Sequence, residues 1–286
     1  MKSITDNVIF EDSFAGVGLG ALRLEQGIIF IDSPITARDA QVWRNSLSKS
    51  GSGTERLLVL LDEHLDRSLG TKAMKCILLA HERTAQVLGG RPASSKPVFT
   101  KTGAAWESVE DLGSIHATLP EITFTHSMQI HWGQDVVALE YHPGPARGSI
   151  WVVLPSLKIA FIGDCVVARQ PPFLASADLA AWLDSLALLR SAQFRDYILI
   201  SSRNGVINQE EVKQQSVFLK HIQSQMEKFV PNKTDGSTFE GMVAELVREF
   251  NPRNRKEEEL FKTRLSWGLQ QLYSNHYHPS GKASSR

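Results

Sequence analysis

The stretch Asp62-Glu63-His64-Leu65-Asp66-Arg67 follows the apolar run Leu57-Leu58-Val59-Leu60-Leu61. A run of that length and type reads as a strand, which places the next six residues in the loop that leaves it. Carboxylates and an imidazole alternate there, and these are the donor types that hold Zn²⁺, Fe²⁺ or Mn²⁺. Arg67 is of the opposite kind. Its guanidinium only donates hydrogen bonds, stays protonated and offers no lone pair to a metal. Three more places carry matching chemistry. Asp32 ends the run Ile28-Ile29-Phe30-Ile31, His142 opens His142-Pro143-Gly144-Pro145-Ala146-Arg147-Gly148-Ser149, and Asp164 ends Lys158-Ile159-Ala160-Phe161-Ile162-Gly163.

The elements that must position these residues alternate between short apolar strands and amphipathic segments up to about residue 205, an α/β pattern. Strands are expected at 17–24, 27–31, 57–61, 76–80, 135–141, 149–154, 158–162 and 197–200. The pair around Pro155-Ser156-Leu157 reads as a hairpin. Helices are expected at 36–48, 81–89 and 178–190, the last with Asp178 as N-cap. The segment 91–104, rich in Pro, Ser, Thr and Gly, reads as a surface loop and candidate lid. After residue 206 the pattern turns to helix only, at 208–229, 238–249 and 256–275, with breaks at Pro231-Asn232 and Asn251-Pro252; the end from Pro279 onward reads as frayed. The division is therefore a first domain over 1–207 and a C-terminal helical extension over 208–286 packed on it. The stripe Phe261, Leu265, Leu269 and Leu272 would pack on the core or form a homodimer contact.

Composition narrows the function classes. Lys+Arg and Asp+Glu each number 31, and this balance argues against a general nucleic-acid binder. The two cysteines, Cys76 and Cys165, sit in apolar runs and read as buried thiols. The sequence begins without an apolar signal core and has no run long enough to span a bilayer, so a cytoplasmic location is expected.

In their order along the chain, the strand ending in Asp32, the 62–67 loop, the His142 loop and the strand delivering Asp164 resemble the metallo-β-lactamase superfamily over about residues 7–212. The 62–67 loop is similar to that superfamily's His-x-His-x-Asp-His signature. The resemblance implies an αββα sandwich, with two divalent metals and a bridging hydroxide at one edge of the paired sheets. Carried over, the first metal position takes Asp62, His64 and His142. The second takes Asp66, Arg67 and, from Ser201-Ser202-Arg203-Asn204-Gly205, Arg203, with Asp164 as the bridging carboxylate. Asp62 is a tolerable replacement for a His ligand; Arg67 and Arg203 are not. Asp62, Asp66 and Asp164 sum to −3, and the two arginines bring this to −1, which leaves room for one divalent cation or none.

Two functions follow. In the first, a metal held by Asp62, His64, His142 and Asp164 activates water to hydrolyse a small ester, lactone or thioester, with Asp66 orienting that water and Arg67 and Arg203 binding an anionic substrate group or a developing oxyanion. The metal is zinc, or iron or manganese. In the second, the protein is metal-free and non-catalytic, Arg67 and Arg203 pair with Asp66 and Asp164, and the chain binds a ligand or partner. Asp32 is expected to bond loop amides beneath the site, His81 to start a helix, His126 and His131 to face solvent, and Arg147 to be a solvated loop charge. Trp106, Trp132 and Tyr141 are expected in core packing. His116, His221, His276 and His278 have no supporting neighbours.

Overall fold

A computed structural model describes residues 1–47, 53–91, 101–109, 118–228 and 237–277. Most of the 91–104 loop, His116, the Pro231-Asn232 break, His278 and the end from Pro279 lie outside the described residues.

The chain builds two sheets. The first holds β1 (Lys2–Ser3), β2 (Val8–Glu11), β3 (Leu19–Arg23), β4 (Gly27–Ile31), β5 (Glu55–Val59), β6 (Ile77–His81) and β7 (Ile122–Phe124), in that spatial order. It is antiparallel from β1 to β4 and parallel from β4 to β7. The second holds β8 (Ser127–His131), β9 (Val136–Tyr141), β10 (Ile150–Leu154), β11 (Ile159–Gly163), β12 (Ile198–Ser201) and β13 (Gly205–Ile207), in the order β13-β12-β11-β10-β9-β8. Only its β11–β12 pair is parallel. The hairpin expected around Pro155 is the β10–β11 pair.

The helices are α1 (Ala37–Ser46), α2 (Leu65–Ser68), α3 (Thr71–Met74), α4 (Glu82–Gly89), α5 (Leu179–Leu189), α6 (Gln209–Lys228), α7 (Ser237–Arg248) and α8 (Arg255–His276). Their starts are written in the sequence. Thr36 Oγ1 accepts from the Asp39 amide at 3.0 Å, Asp178 Oδ1 from Ala181 at 3.0 Å, and Asn254 Oδ1 from Glu257 at 2.9 Å, each satisfying an amide that the first helical turn leaves unpaired.

The strand period of two sorts side chains into layers. On β4, Ile29 and Ile31 enter a cluster between the sheets with Val59, Leu139, Val152 and Phe161. Ile28 and Phe30 face the other way, against Trp43 of α1. On β10, Ile150, Val152 and Leu154 point between the sheets while Trp151 and Val153 point outward. They join Trp182, Leu186, Leu219 and Leu265 from α5, α6 and α8. The result is the helix–sheet–sheet–helix sandwich. Phe261, Leu265, Leu269 and Leu272 are all at most 3% exposed within the chain, so that stripe is not available for a dimer contact. Among the described residues no helix is long and apolar enough to cross a membrane.

Candidate functional site

The parallel strands β4, β5, β11 and β12 end at one edge of the sandwich, and the loops leaving them deliver Asp32, the 62–67 segment, Asp164 and Arg203 to one point. Sharp turns make this possible. Asp32 sits at φ 61°, a left-handed conformation that a short polar side chain tolerates, and Gly163, just before Asp164, sits at φ 59°. Asp66 and Arg67 project from the four-residue helix α2, and all of Asp32, Asp62, Asp66, Arg67 and Asp164 are buried.

Arg67 is the centre of the cluster. Its Nη1 donates to Asp32 Oδ2 at 2.9 Å and its Nη2 to Asp164 Oδ1 at 2.7 Å. Its Nε lies 3.0 Å from Asp62 Oδ1, an ion-pair contact set off the N–H direction. Arg203 donates from Nε to Asp164 Oδ1 at 3.0 Å and from Nη2 to Asp164 Oδ2 at 2.7 Å, and pairs through Nη1 with Asp66. The pairing of two arginines with Asp66 and Asp164 is as the sequence suggests for a metal-free site. Arg67, however, reaches further, to Asp62 and Asp32. Asp32 does accept a loop amide, from Leu61 at 2.9 Å, but it is also a fourth carboxylate of the cluster, one that the charge sum over Asp62, Asp66 and Asp164 does not include.

His64 turns its Nδ1 to Asp62 Oδ1 at 2.8 Å, and the same oxygen accepts the His64 amide at 2.8 Å. Burial alone would lower the imidazole pKa, but the Asp62 carboxylate outweighs it and raises it to about 9. Burial likewise works against ionising Asp164, and Arg203 and Arg67 overcome it, holding that carboxyl well below the usual range. Asp62 is also held low, with Arg67 and His64 overcoming its burial. Asp32 goes the other way: burial pushes it up to about 7 against the pull of Arg67 and the Leu61 amide. Four aspartates thus face two guanidiniums and an imidazolium, and Asp32 is the one that keeps its proton up to about pH 7.

His142 stands apart. Its ring stacks on Trp151 with centroids 3.7 Å apart, and its Nε2 faces Glu140 Oε2 at 3.2 Å. Asp62, His64 and Asp164 do come together, with one ligand atom from each within 4.8 Å of the others, and form a candidate metal-binding triad. The donor chemistry can be tested against an ion. Both oxygens of Asp164 already take guanidinium N–H groups, and Asp62 Oδ1 takes His64. Asp62 Oδ2 is the one buried carboxylate oxygen of the triad without a hydrogen-bond partner among the described residues. A divalent cation would have to displace two guanidiniums from Asp164 and sit beside their charge. The residues do not fit a metal pair, and a single ion at the triad would compete with both arginines for Asp164.

Further residues complete the surroundings. Glu63 is buried and ties the His142 loop down, accepting from the amides of Arg147 and Gly148 at 3.2 Å each. Phe173 caps the cluster, with the Arg203 guanidinium 5.0 Å and the Arg264 guanidinium 4.4 Å from its ring centroid. Arg264 of α8 is 2% exposed and donates to Gly103 O, Gln170 Oε1 and Pro171 O. Its position beside Leu265, three residues after Phe261, was the available sign that it lies on the buried face. His81 caps α4 with Nδ1 accepting from the Arg83 amide at 3.1 Å, and His126 and His131 are exposed, both as read from sequence. The Arg203–Asp66 pair stands between two cavities, one of about 650 Å³ lined by Arg203 and one of about 380 Å³ lined by Asp66 and His64. Trp106, for which core packing is the expected role and a pocket wall the alternative, is buried in a cluster with Ile35 and Phe173 and also lines the smaller one.

No protein-family model matches the chain, and neither does any curated protein. Solved structures do. A metallo-β-lactamase from Pontibacter korlensis is 15% identical with a TM-score of 0.59, covering 77% of this chain and 97% of its own. The DIM-1 metallo-β-lactamase is 17% identical with a TM-score of 0.59, covering 77% and 96%. A metallo-β-lactamase family protein from Thermus thermophilus is 15% identical with a TM-score of 0.64, covering 96% and 95%. Coverage that full takes in the C-terminal helices as well as the sandwich. Four layers, two sheets ending in one cluster of loops, and these likenesses together give the chain the metallo-β-lactamase fold.

Proposed function

We propose that this protein is a metal-free member of its fold, with two guanidinium groups in place of metal charge, and that it binds a small molecule next to that cluster. The observation that carries the reading is Arg67: wholly buried, it holds Asp32, Asp62 and Asp164 at once. A fixed cation on the protein neutralises the carboxylates that a bound ion would otherwise neutralise, and its pKa, raised well above the ordinary arginine value by those aspartates against the effect of burial, keeps it charged at any working pH. Neither Arg67 nor Arg203 is then free to bind substrate or an oxyanion. The free thiols Cys76 and Cys165 suit a reducing, cytoplasmic location.

A second reading has its own support. The candidate triad of Asp62, His64 and Asp164, with the unpartnered Asp62 Oδ2, favours a hydrolase holding one zinc, iron or manganese ion. Elemental analysis of protein purified without chelator, followed by calorimetric titration with zinc, separates the two. The expected result is no stoichiometric zinc, iron or manganese and no saturable heat on titration. One equivalent of metal, together with ester, lactone or thioester hydrolysis abolished by His64→Ala, would overturn the metal-free reading.

A further inference from the structure

Arginines around the cluster fall into two kinds, and the second kind points to a ligand. Arg91, just past α4, is half-buried and donates to the Glu63 carbonyl and, at 3.4 Å, to Ser68 Oγ. Both partners are neutral, and among the described residues no carboxylate lies in ion-pair range of Arg91. Burial accordingly pulls its pKa below the ordinary arginine value. A desolvated guanidinium whose hydrogen-bond partners are neutral, and whose charge is supported only at a distance by Glu63 and Asp62, is stabilised by an anion that reaches it. Arg91 lines the 380 Å³ cavity, whose volume is in the range of small-molecule pockets. Its other walls include Trp106, Phe173 and Trp267, with Arg147 and His64 at the polar side. Nearby acids are already engaged: Glu63 by the amides of Arg147 and Gly148, Asp66 by Arg203. The larger cavity offers less. Its Arg253 is held by Glu257, and its Arg169 is 79% exposed.

We infer that the smaller cavity binds an organic monocarboxylate on a flat apolar or aromatic body, with Arg91 taking the carboxylate and Trp106, Phe173 and Trp267 enclosing the body. The inference rests on the metal-free reading above. A planar carboxylate matches the guanidinium fork. A single negative charge suits the place better than a dianion does, because Glu63 and Asp66 also line the cavity. Arg147, read from sequence as a solvated charge, is exposed but lines the same cavity.

Calorimetry with naphthoate, naphthamide and naphthyl phosphate tests this on the full chain. Naphthoate should bind at one site, roughly ten-fold or more tighter than its neutral amide, the range of a charge-assisted hydrogen bond, and tighter than the phosphate. Arg91→Met should abolish the preference for acid over amide, while Trp267→Ala should weaken both ligands. Arg147→Met, in an exposed position, should narrow the preference without affecting folding. Equal naphthoate binding by wild type and Arg91→Met would overturn the assignment, as would the absence of binding or a preference for the phosphate. If Arg91→Met does not fold, the wild-type acid-to-amide ratio and the Trp267→Ala and Arg147→Met variants decide. Zinc content measured on the same samples keeps the two readings separate. Stoichiometric zinc alongside Arg91-dependent naphthoate binding would sink the metal-free reading alone, whereas zinc-free protein that ignores naphthoate would sink the cavity assignment alone.

Discussion

Arg67 and Arg264 are both buried guanidiniums, and they are held in different ways. Arg67 sits among three carboxylates. Arg264 sits among backbone carbonyls and the Gln170 side chain, with Phe173 against its face. The difference shows in their proton affinity: the aspartates raise that of Arg67, whereas burial lowers the Arg264 pKa to about 10. One is a charge solution and the other a scaffold solution. Arg67 neutralises the anionic end of the sandwich; Arg264 ties α8 to the segments carrying Gly103, Gln170 and Pro171, and so fixes the wall that faces the cavity.

The comparison breaks most sharply at Arg67. Arg67→Met leaves Asp32, Asp62 and Asp164 buried with their shared cation gone, and breaking a buried ion pair from one side costs about 3–5 kcal/mol. Urea denaturation should show a loss of that size; a loss under about 1 kcal/mol would mean the aspartates find other partners and that Arg67 is not the centre of the cluster. The same logic runs in reverse. In the double variant Arg67→His, Arg203→His, two fixed cations become neutral ligands, and the carboxylates are free to coordinate. Elemental analysis should then find zinc in the variant and none in the wild type. Zinc-free variant protein would show that the loops lack the geometry for a metal, apart from the charge.

Arg264→Met is the smaller perturbation. It removes donors from the Gly103 and Pro171 carbonyls, but it strands no charge, and the methionine can fill part of the space against Phe173. A loss of about 2 kcal/mol is expected by urea denaturation, with zinc content unchanged. If Arg264→Met cost as much as Arg67→Met, the distinction between charge and scaffold would fail.

Much of this architecture is legible in the sequence because it is local. The apolar runs that become β4, β5, β10 and β11 are continuous, as expected of strands covered on both faces; β4, β5 and β11 end at or just before a loop of the site, whereas β10 begins after the His142 loop. The strands β1, β2, β7, β8 and β13 are not evident from the sequence. They are short, and β8 lies at a sheet edge with one face exposed, so its apolar content is thin. The short helices α2 and α3 fall below the length at which periodicity can be seen. At the site, the inward pairing of Arg67 and Arg203 follows from residue type, since guanidinium among aspartates has few alternatives. The position of His142 does not. The order of motifs sets it beside the metal ligands, but stacking on Trp151 and the Glu140 contact are packing outcomes that no spacing encodes. Arg91 and Arg264 are hidden for a related reason: an arginine near a helix end or on a helix usually reaches solvent, and only contacts between distant segments bury these two.

The smallest effect concerns His64, which faces both regions, with Nδ1 toward Asp62 and its ring 5.6 Å from Phe173. Its pKa is about 9 in the folded chain against an ordinary 6.5. A group whose pKa rises on folding adds stability that is complete below its unfolded value and is lost as pH climbs through the folded one. The His64–Asp62 contact should therefore contribute fully below pH 6.5 and fade toward pH 9. The ring keeps 21% of its surface in solvent, so screening limits the loss to roughly 2 kcal/mol or less. Asp32, raised to about 7, carries the opposite charge logic: its folded form retains a proton that the unfolded chain has already given up, and stability falls as pH rises toward 7. The tail of that transition is common to wild type and His64→Gln, so the difference between their urea midpoints from pH 7 to 9 isolates His64. In that window wild type should lose stability with rising pH, and His64→Gln should lose less. Parallel slopes would mean that His64 is already neutral at pH 7, and the cluster would then lack the imidazolium that, beside Arg67 and Arg203, offsets its aspartates.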